Sequence, residues 1–354
     1  MSLGSFQIVL ATESDRLVWN DYVEQHPDST PYHRFDWLSA ITQAYGHPHH
    51  GAIAKSDDGK VVGVFPAVLF KGLSQKRHLC ALPYCDVGYG LADSSDILVA
   101  LRAFLVKEAR EKGSKYFEVR AVNKTKMADT DLSGHKVRML LPIPESSDAL
   151  MSSFKSKLRS QIRKAEKNGL SFRIMNDEKA INDFYHVYST NMRDLGSPAH
   201  HINWFKRIIE NYANHIVISV VYKDDQPAGA GIILLNGNKA CIPWASTVRE
   251  FNRLAPNMLL YWSLLAHCAD NGISQFDFGR STFNEGTYKF KKQWGAEPEL
   301  LDWHNINNNN EATPNATAQG EKGKVRQLVE SIWPKLPLGI SVSLGTRIRP
   351  FISL

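Results

Sequence analysis

Asp277, Arg280 and Ser281 stand at the end of an apolar strand pattern, Gln275-Phe276-Asp277-Phe278-Gly279-Arg280-Ser281-Thr282. Strand ends carry reactive groups on a rigid support. A carboxylate there can orient an amine or take its proton, and a guanidinium can grip a carboxylate or phosphate through two parallel hydrogen bonds. The same pair also reads as an ion pair that only fixes a loop. Downstream, Tyr288, Lys289, Lys291, Lys292 and Trp294 follow Gly286. Cations in such a loop can meet an anionic substrate or stabilise developing negative charge, with Trp294 as a stacking or packing platform, or they can be solvated.

Other groups carry weaker signals. Lys155, Arg159, Arg163 and Lys167 recur every four residues beside an apolar stripe of Phe154, Leu158, Ile162 and Ala165, the pattern of a phosphate-binding face or of an ordinary wet helix face. Tyr84 and Asp86, in Pro83-Tyr84-Cys85-Asp86-Val87-Gly88-Tyr89-Gly90, and Trp244, in the corresponding later segment, are candidate contacts to an acceptor. Cys85 would need a neighbouring base to act as a nucleophile. His47, His49, His50, His200 and His201 lack complementary metal-ligand spacing, so no metal is expected.

The elements that must position these groups appear twice. Phe35-Asp36-Trp37-Leu38 opens a helical pattern to Tyr45, and Ile202-Asn203-Trp204-Phe205 opens another to Tyr212, the two tryptophans 167 residues apart. Each is preceded by a strand and a helix. Each is followed by a hairpin, a third strand, a long helix stopped by Gly113 or Gly272, and a closing strand. Both halves read β, α, α, β, β, β, α, β, a mixed α/β fold. The expected division is a first domain at 1–145, a second at 146–303 with the basic connecting helix at its start, a polar linker at 304–324, and a helix and tail at 325–354.

Composition narrows the class. The chain has 354 residues, 43% hydrophobic and 22% charged, which excludes collagen and wholesale disorder. No apolar run reaches the roughly 18 to 20 residues that a membrane span requires. Four cysteines without a CxxC pair suit a reducing compartment, and a cytoplasmic location is expected. Forty-two basic against 36 acidic residues give a net charge of +6, which permits an anionic partner. Arg347, Arg349, Phe351 and Ile352 beside the apolar Leu338–Leu344 run suit weak peripheral contact with an anionic membrane, but packing against the folded body is the better expectation.

The order of elements resembles GNAT-type N-acyltransferases, and the tandem arrangement resembles the FemAB family of aminoacyltransferases. The segment from Phe276 to Ala296 is similar to that family's "fDfGRS…gtykFKkqwGa" signature, especially in the branch linked to exosortase-associated exopolysaccharide loci; Asp277, Gly279, Arg280, Ser281, Lys291 and Trp294 match in place. The Ser156–Gly169 run, Arg193–Pro198 and Trp333–Leu338 look like further family elements. The resemblance implies transfer of an aminoacyl or acyl group to an amine of a cell-envelope or exopolysaccharide precursor. Asp277 would be the orienting or proton-accepting group, Arg280 the anion clamp, Tyr288 a proton relay, and Lys291 with Lys292 the charge stabilisers. No tightly bound cofactor is implied; the donor is either aminoacyl-tRNA or acyl-CoA. No coiled-coil arm of the kind associated with tRNA donors is present. Gln226-Pro227-Ala228-Gly229-Ala230-Gly231 fits the CoA-pyrophosphate pattern of simple GNAT enzymes, but it leads into an apolar strand, and before the helix at Pro256 no glycine occurs. A CoA-dependent enzyme and a non-catalytic binding module are the alternatives.

Overall fold

The structure is a computed structural model that describes residues 6–73, 76–125, 128–315 and 330–354. The first half runs β1 (Phe6–Leu10), α1 (Arg16–Gln25), α2 (Phe35–Tyr45), β2 (Ala52–Ser56), β3 (Val61–Phe65), β4 (Val68–Lys71), β5 (Arg77–Cys80), β6 (Leu91–Ala92), α3 (Ser95–Glu111), β7 (Tyr116–Asn123) and β8 (Lys136–Pro142). Two connecting helices follow, α4 (Ser147–Ser153) and α5 (Ser156–Lys167). The second half runs β9 (Leu170–Ile174), α6 (Glu178–Asp194), α7 (Ile202–Tyr212), β10 (Ile216–Lys223), β11 (Gln226–Asn236), β12 (Lys239–Thr247), α8 (Pro256–Asp270), β13 (Gln275–Thr282), α9 (Gly286–Lys292) and β14 (Glu297–Asn307). β15 (Ala312–Pro314) and α10 (Leu338–Ile348) complete the described chain.

Local chemistry explains the long helices. The Ser94 side chain accepts from the Ile97 amide to open α3, Ile97, Leu101, Leu105 and Ala109 form its buried stripe, and Gly113 follows at φ +70°. In α8, Pro256 occupies the first turn, where its missing N–H costs nothing, and Gly272 follows the last turn at φ +75°.

The larger sheet has the order β4-β5-β7-β14-β8-β13-β12-β11-β10-β9, with β15 beside β14; β1, β2, β3 and β6 form a separate sheet. The halves exchange their last strands. β8, from the first segment, lies antiparallel to β13, while β14, from the second, lies antiparallel to β7. β8 and β14 pair with each other at the centre, Glu297 opposite Leu140 and Leu300 opposite Val137. The boundary expected at 145 thus leaves β8 paired with strands of the second segment, and the one expected at 303 falls within β14. The polar run expected to be a linker from His304 is instead strand and return strand through Pro314: Trp303 and Ile306, on opposite faces of β14, are buried in different apolar clusters, and backbone pairing with β7 does not depend on side-chain polarity. Residues 316–324 of that expectation, and Val325–Val329 of the expected terminal helix, lie outside the described residues. Gln226–Gly231 is the start of β11, paired with β10.

One apolar core is shared by both halves. Trp37 and Trp204, the repeat-related tryptophans, meet edge to face with centroids 5.3 Å apart, and Trp244 stacks on Trp37 at 6.0 Å. No helix among the described residues is long and apolar enough to cross a membrane. α10 packs its small residues Ser341 and Gly345 inward, Gly345 so closely to Pro198 and Ala199 that a Cβ would meet the Ala199 amide nitrogen at 2.9 Å.

Candidate active site

β13 pairs in parallel with β12 only as far as Asp277, opposite Cys241, and then diverges. On its other edge the register against β8 slips between Asp277 and Arg280. This bulge turns on Gly279, at φ +72°; a Cβ there would stand 3.3 Å from Asp86 Oδ2. A residue with a side chain would be strained by the backbone and crowded by the carboxylate.

The bulge gathers groups from both halves. Asp277 is buried; its Oδ1 accepts from the Gly279 amide at 2.7 Å and its Oδ2 lies 3.6 Å from Arg138 Nη1. Arg138, from β8, also donates through Nε to Glu299 of β14. Asp86, from the loop after β5, accepts from the Arg280 amide at 3.1 Å and lies 3.4 Å from Arg280 Nε. The Arg280 guanidinium stands 5.1 Å from the centre of the Trp303 ring, as does that of Arg120 from β7, and Trp303 Nε1 donates to the Asp86 carbonyl. Lys291 is 7% exposed, and its ammonium donates to the carbonyls of Gly279 at 3.0 Å and Arg280 at 2.8 Å. Three carboxylates thus face three cations.

Their electrostatics are set by burial. Desolvation lifts the Asp277 carboxyl above its ordinary range, with Arg138 and the Gly279 amide pulling the other way. Desolvation lowers Lys291 to about 8, against the opposing pull of Asp86 and Asp277. A desolvated lysine inside a charged cluster is a candidate functional group, although structural ion-pair networks shift lysines in the same way.

Other expected site residues go elsewhere. Tyr288 is buried against Phe283, its ring 4.7 Å away, and its electrostatic neighbours are Lys292, Asp129 and Glu297, apart from the cluster. Lys292 pairs with Glu297 at 2.7 Å on the surface, and Lys289 is exposed. Trp294 is a core residue, packed edge to face on Phe154 at 5.5 Å. Ser281 is buried, its hydroxyl without a hydrogen-bond partner among the described residues. Trp244 belongs to the aromatic core between the halves. Tyr84 donates its hydroxyl to the Pro350 carbonyl at 2.6 Å, beneath Arg349, and so holds the C-terminal tail. Cys85 is buried, which pushes its thiol up and leaves it unreactive. On α5, Arg163 is exposed, while Arg159 turns back to the Phe154 carbonyl at 3.1 Å. Sequence reasoning missed Arg138, Glu299 and Trp303. The available signal was an arginine inside the apolar strand Lys136-Val137-Arg138-Met139-Leu140.

Two recesses lie nearby in the fold, neither of them lined by the cluster itself. A cavity of about 200 Å³ between β12 and α8 is lined by Asn191, Ser246, Thr247, Asn257 and Tyr261; Tyr261 stacks on Phe278 of β13 at 5.5 Å. A larger cleft of about 530 Å³ in the first half lies among α3, β7 and β14, lined in part by Tyr89, Arg102, Lys124, Asp302 and His304.

Residues 152–292 match the family model described as an acetyltransferase (GNAT) domain. The chain has a tandem GNAT fold. It is similar to the crystal structure of FemX, at 14% identity and a TM-score of 0.64, over 83% of this chain and 96% of that one. It is also similar to the C-terminal domain of a putative lysylphosphatidylglycerol synthetase from Agrobacterium fabrum, at 12% identity and a TM-score of 0.54, over 90% of this chain and 96% of that one. A tandem GNAT protein from the clavulanic acid biosynthesis pathway aligns at 12% identity and a TM-score of 0.50, over 86% of this chain and 99% of that one. No curated protein matches the sequence at a significant level. In the matched GNAT region, the divergence of β13 from β12 forms the opening in which the bulge at Gly279 lies.

Proposed function

We propose that this protein is an N-acyltransferase of FemAB type. It moves an aminoacyl or acyl group from an activated donor, held by the second half, to an amine on an anionic cell-envelope or exopolysaccharide precursor reaching in from the first-half cleft. The observation that carries this reading is Lys291: a buried ammonium fixed on the backbone of the β13 bulge, where the GNAT sheet opens. In the reaction the amine nitrogen bonds to the donor carbonyl carbon and makes its oxygen transiently negative; the amine proton passes to Asp277, the bond to the tRNA ribose oxygen or the CoA sulfur breaks, and that leaving group takes the proton as it departs. A preorganised cation at that oxygen lowers the barrier, and removing one such donor typically costs a factor of about 10²–10³ in rate. Asp277, already engaged by Gly279 and Arg138, is the orienting carboxylate. Arg280, partly exposed beside Asp86, is the clamp for an anionic group of donor or acceptor.

Aminoacyl-tRNA is the donor favoured here. Asn168, at the end of basic α5, donates to the Leu254 carbonyl in the loop before α8, so the C-terminal end of α5 is tied to the loop where a pyrophosphate cradle would stand. That loop is a 3₁₀ turn followed by Ala255 at φ +63° and Pro256, a poor cradle for a pyrophosphate, which needs free amides at a helix start. Acyl-CoA is the second reading, and the match to the acetyltransferase family model supports it. Thermal melting with acetyl-CoA separates the two: at about 100 times Kd a ligand stabilises by roughly 2.7 kcal/mol. The tRNA reading predicts no shift with acetyl-CoA, and a clear upward shift overturns it.

A further inference from the structure

In the first half, at the positions that correspond to Lys239, Cys241 and Asp277 of the second, stand His78, Cys80 and Glu118: Cys80 lies opposite Glu118 in the β5–β7 register as Cys241 lies opposite Asp277. His78 and Cys80, two apart on a strand, share a face with Glu118. Their candidate ligand atoms all lie within 4.8 Å of one another. We propose that His78 Nε2, Cys80 Sγ and Glu118 Oε2 form a binding site for a zinc-class divalent transition ion.

The carboxylate and the imidazole are held in place for that role. Glu118 gives Oε1 to Arg120, at 2.8 Å from Nε and 2.7 Å from Nη2, which leaves Oε2 turned toward His78 at 3.4 Å. The His78 ring is fixed between Tyr116, stacked at 5.0 Å, and Phe70, edge to face at 5.3 Å. Its Nε2 is buried, and beyond that 3.4 Å approach of Glu118 Oε2 it has no hydrogen bond among the described residues. Cys80 is fully buried on the same face.

Charge and geometry also fit. A thiolate, a carboxylate and a neutral imidazole neutralise a divalent ion, and this mixed sulfur, nitrogen and oxygen set is one that zinc accepts in tetrahedral sites with a fourth position left for water. With bonds of about 2.0–2.3 Å, tetrahedral donors lie about 3.4–3.7 Å apart, so the trio closes by roughly 1 Å on binding. Arg120 has the place of an outer partner that orients a ligating carboxylate, and its own remaining charge is met by the carbonyls of Cys85 at 2.6 Å and Ser353 at 3.2 Å.

The test is titration of the chelator-treated full chain with Co²⁺. The expected result is one equivalent bound, with a near-ultraviolet thiolate-to-cobalt absorption that Zn²⁺ bleaches. Cys80→Ala should lose the band, His78→Ala should weaken binding at least tenfold, and Cys268→Ala, whose thiol lies in α8, should retain both. If Cys80→Ala does not fold, His78→Ala at the less buried edge of the site decides alone. A folded wild-type chain that binds no Co²⁺ with thiolate absorption overturns the proposal. So does a His78→Ala variant that binds as tightly as the wild type, or a band that survives Cys80→Ala.

Discussion

Lys291 is the residue on which the chemistry turns, because its ammonium is desolvated yet anchored, and its proton is lost near pH 8. Lys291→Met retains the length of the side chain and removes the charge. Transfer should fall by about two orders of magnitude or more while the fold persists, which a rate assay paired with a melting curve checks. The pH dependence has a definite sign. The unfolded lysine holds its proton to about 10.4 and the folded one only to about 8, so between those values the unfolded chain binds more protons and stability rises with pH. The wild-type thermal midpoint should therefore gain on that of Lys291→Met as pH is raised from 8 to 10; a flat difference would show that the lysine is not desolvated in solution. Catalysis should move the opposite way, declining above pH 8 as the cation is lost. Arg280→Ala should reduce turnover tenfold or more with only a small loss of stability, since its pairing with Asp86 is partly exposed; a variant that merely melts early, with normal turnover per folded molecule, would make the pair structural.

At the scale of elements, the β13 bulge and the exchanged strands build the site. Gly279→Ala should destabilise by about 1–2 kcal/mol, the cost of a side chain in the left-handed region, and should slow transfer as well because Asp86 must move; urea denaturation and a rate assay read the two effects. Much of this level was legible in the sequence. The repeat was visible because helix stops, turn residues and the Trp37 and Trp204 positions are local signals. Asp277, Arg280 and Lys291 were singled out together from a strand-end motif and its loop, whereas Asp86 was expected only as an acceptor contact and joins them through the fold. The exchange of β8 and β14 was not legible, since which strand a segment pairs with depends on contacts far away in sequence. For the same reason Arg138, Glu299 and Trp303 escaped notice: each acquires its role only when β8 and β14 come together at the centre of the sheet. The Asn-rich run after His304 misled because its polarity suggested solvent, whereas Ile306 faces inward and the backbone pairs with β7.

The larger sheet and an aromatic core run through both halves, and neither half completes them alone. Trp37→Ala and Trp204→Ala should each cost about 3–5 kcal/mol in denaturant unfolding, and the double variant should cost less than the sum because the two rings touch. A fragment ending at residue 145 should show no cooperative melt, because its last strand belongs beside β13. The site's dependence on both halves also explains why Asp86 and Trp303 reach the same arginine from different ends of the chain. The most direct test of the central claim is mass-spectrometric detection of amide formation on an amino-sugar acceptor, offered a charged aminoacyl-tRNA pool or acetyl-CoA, by wild type and by Lys291→Met of matched thermal midpoint. The account predicts an acylated product from the wild type, reduced at least a hundredfold in the variant. Equal product from both proteins, or none from the wild type with either donor, would contradict it.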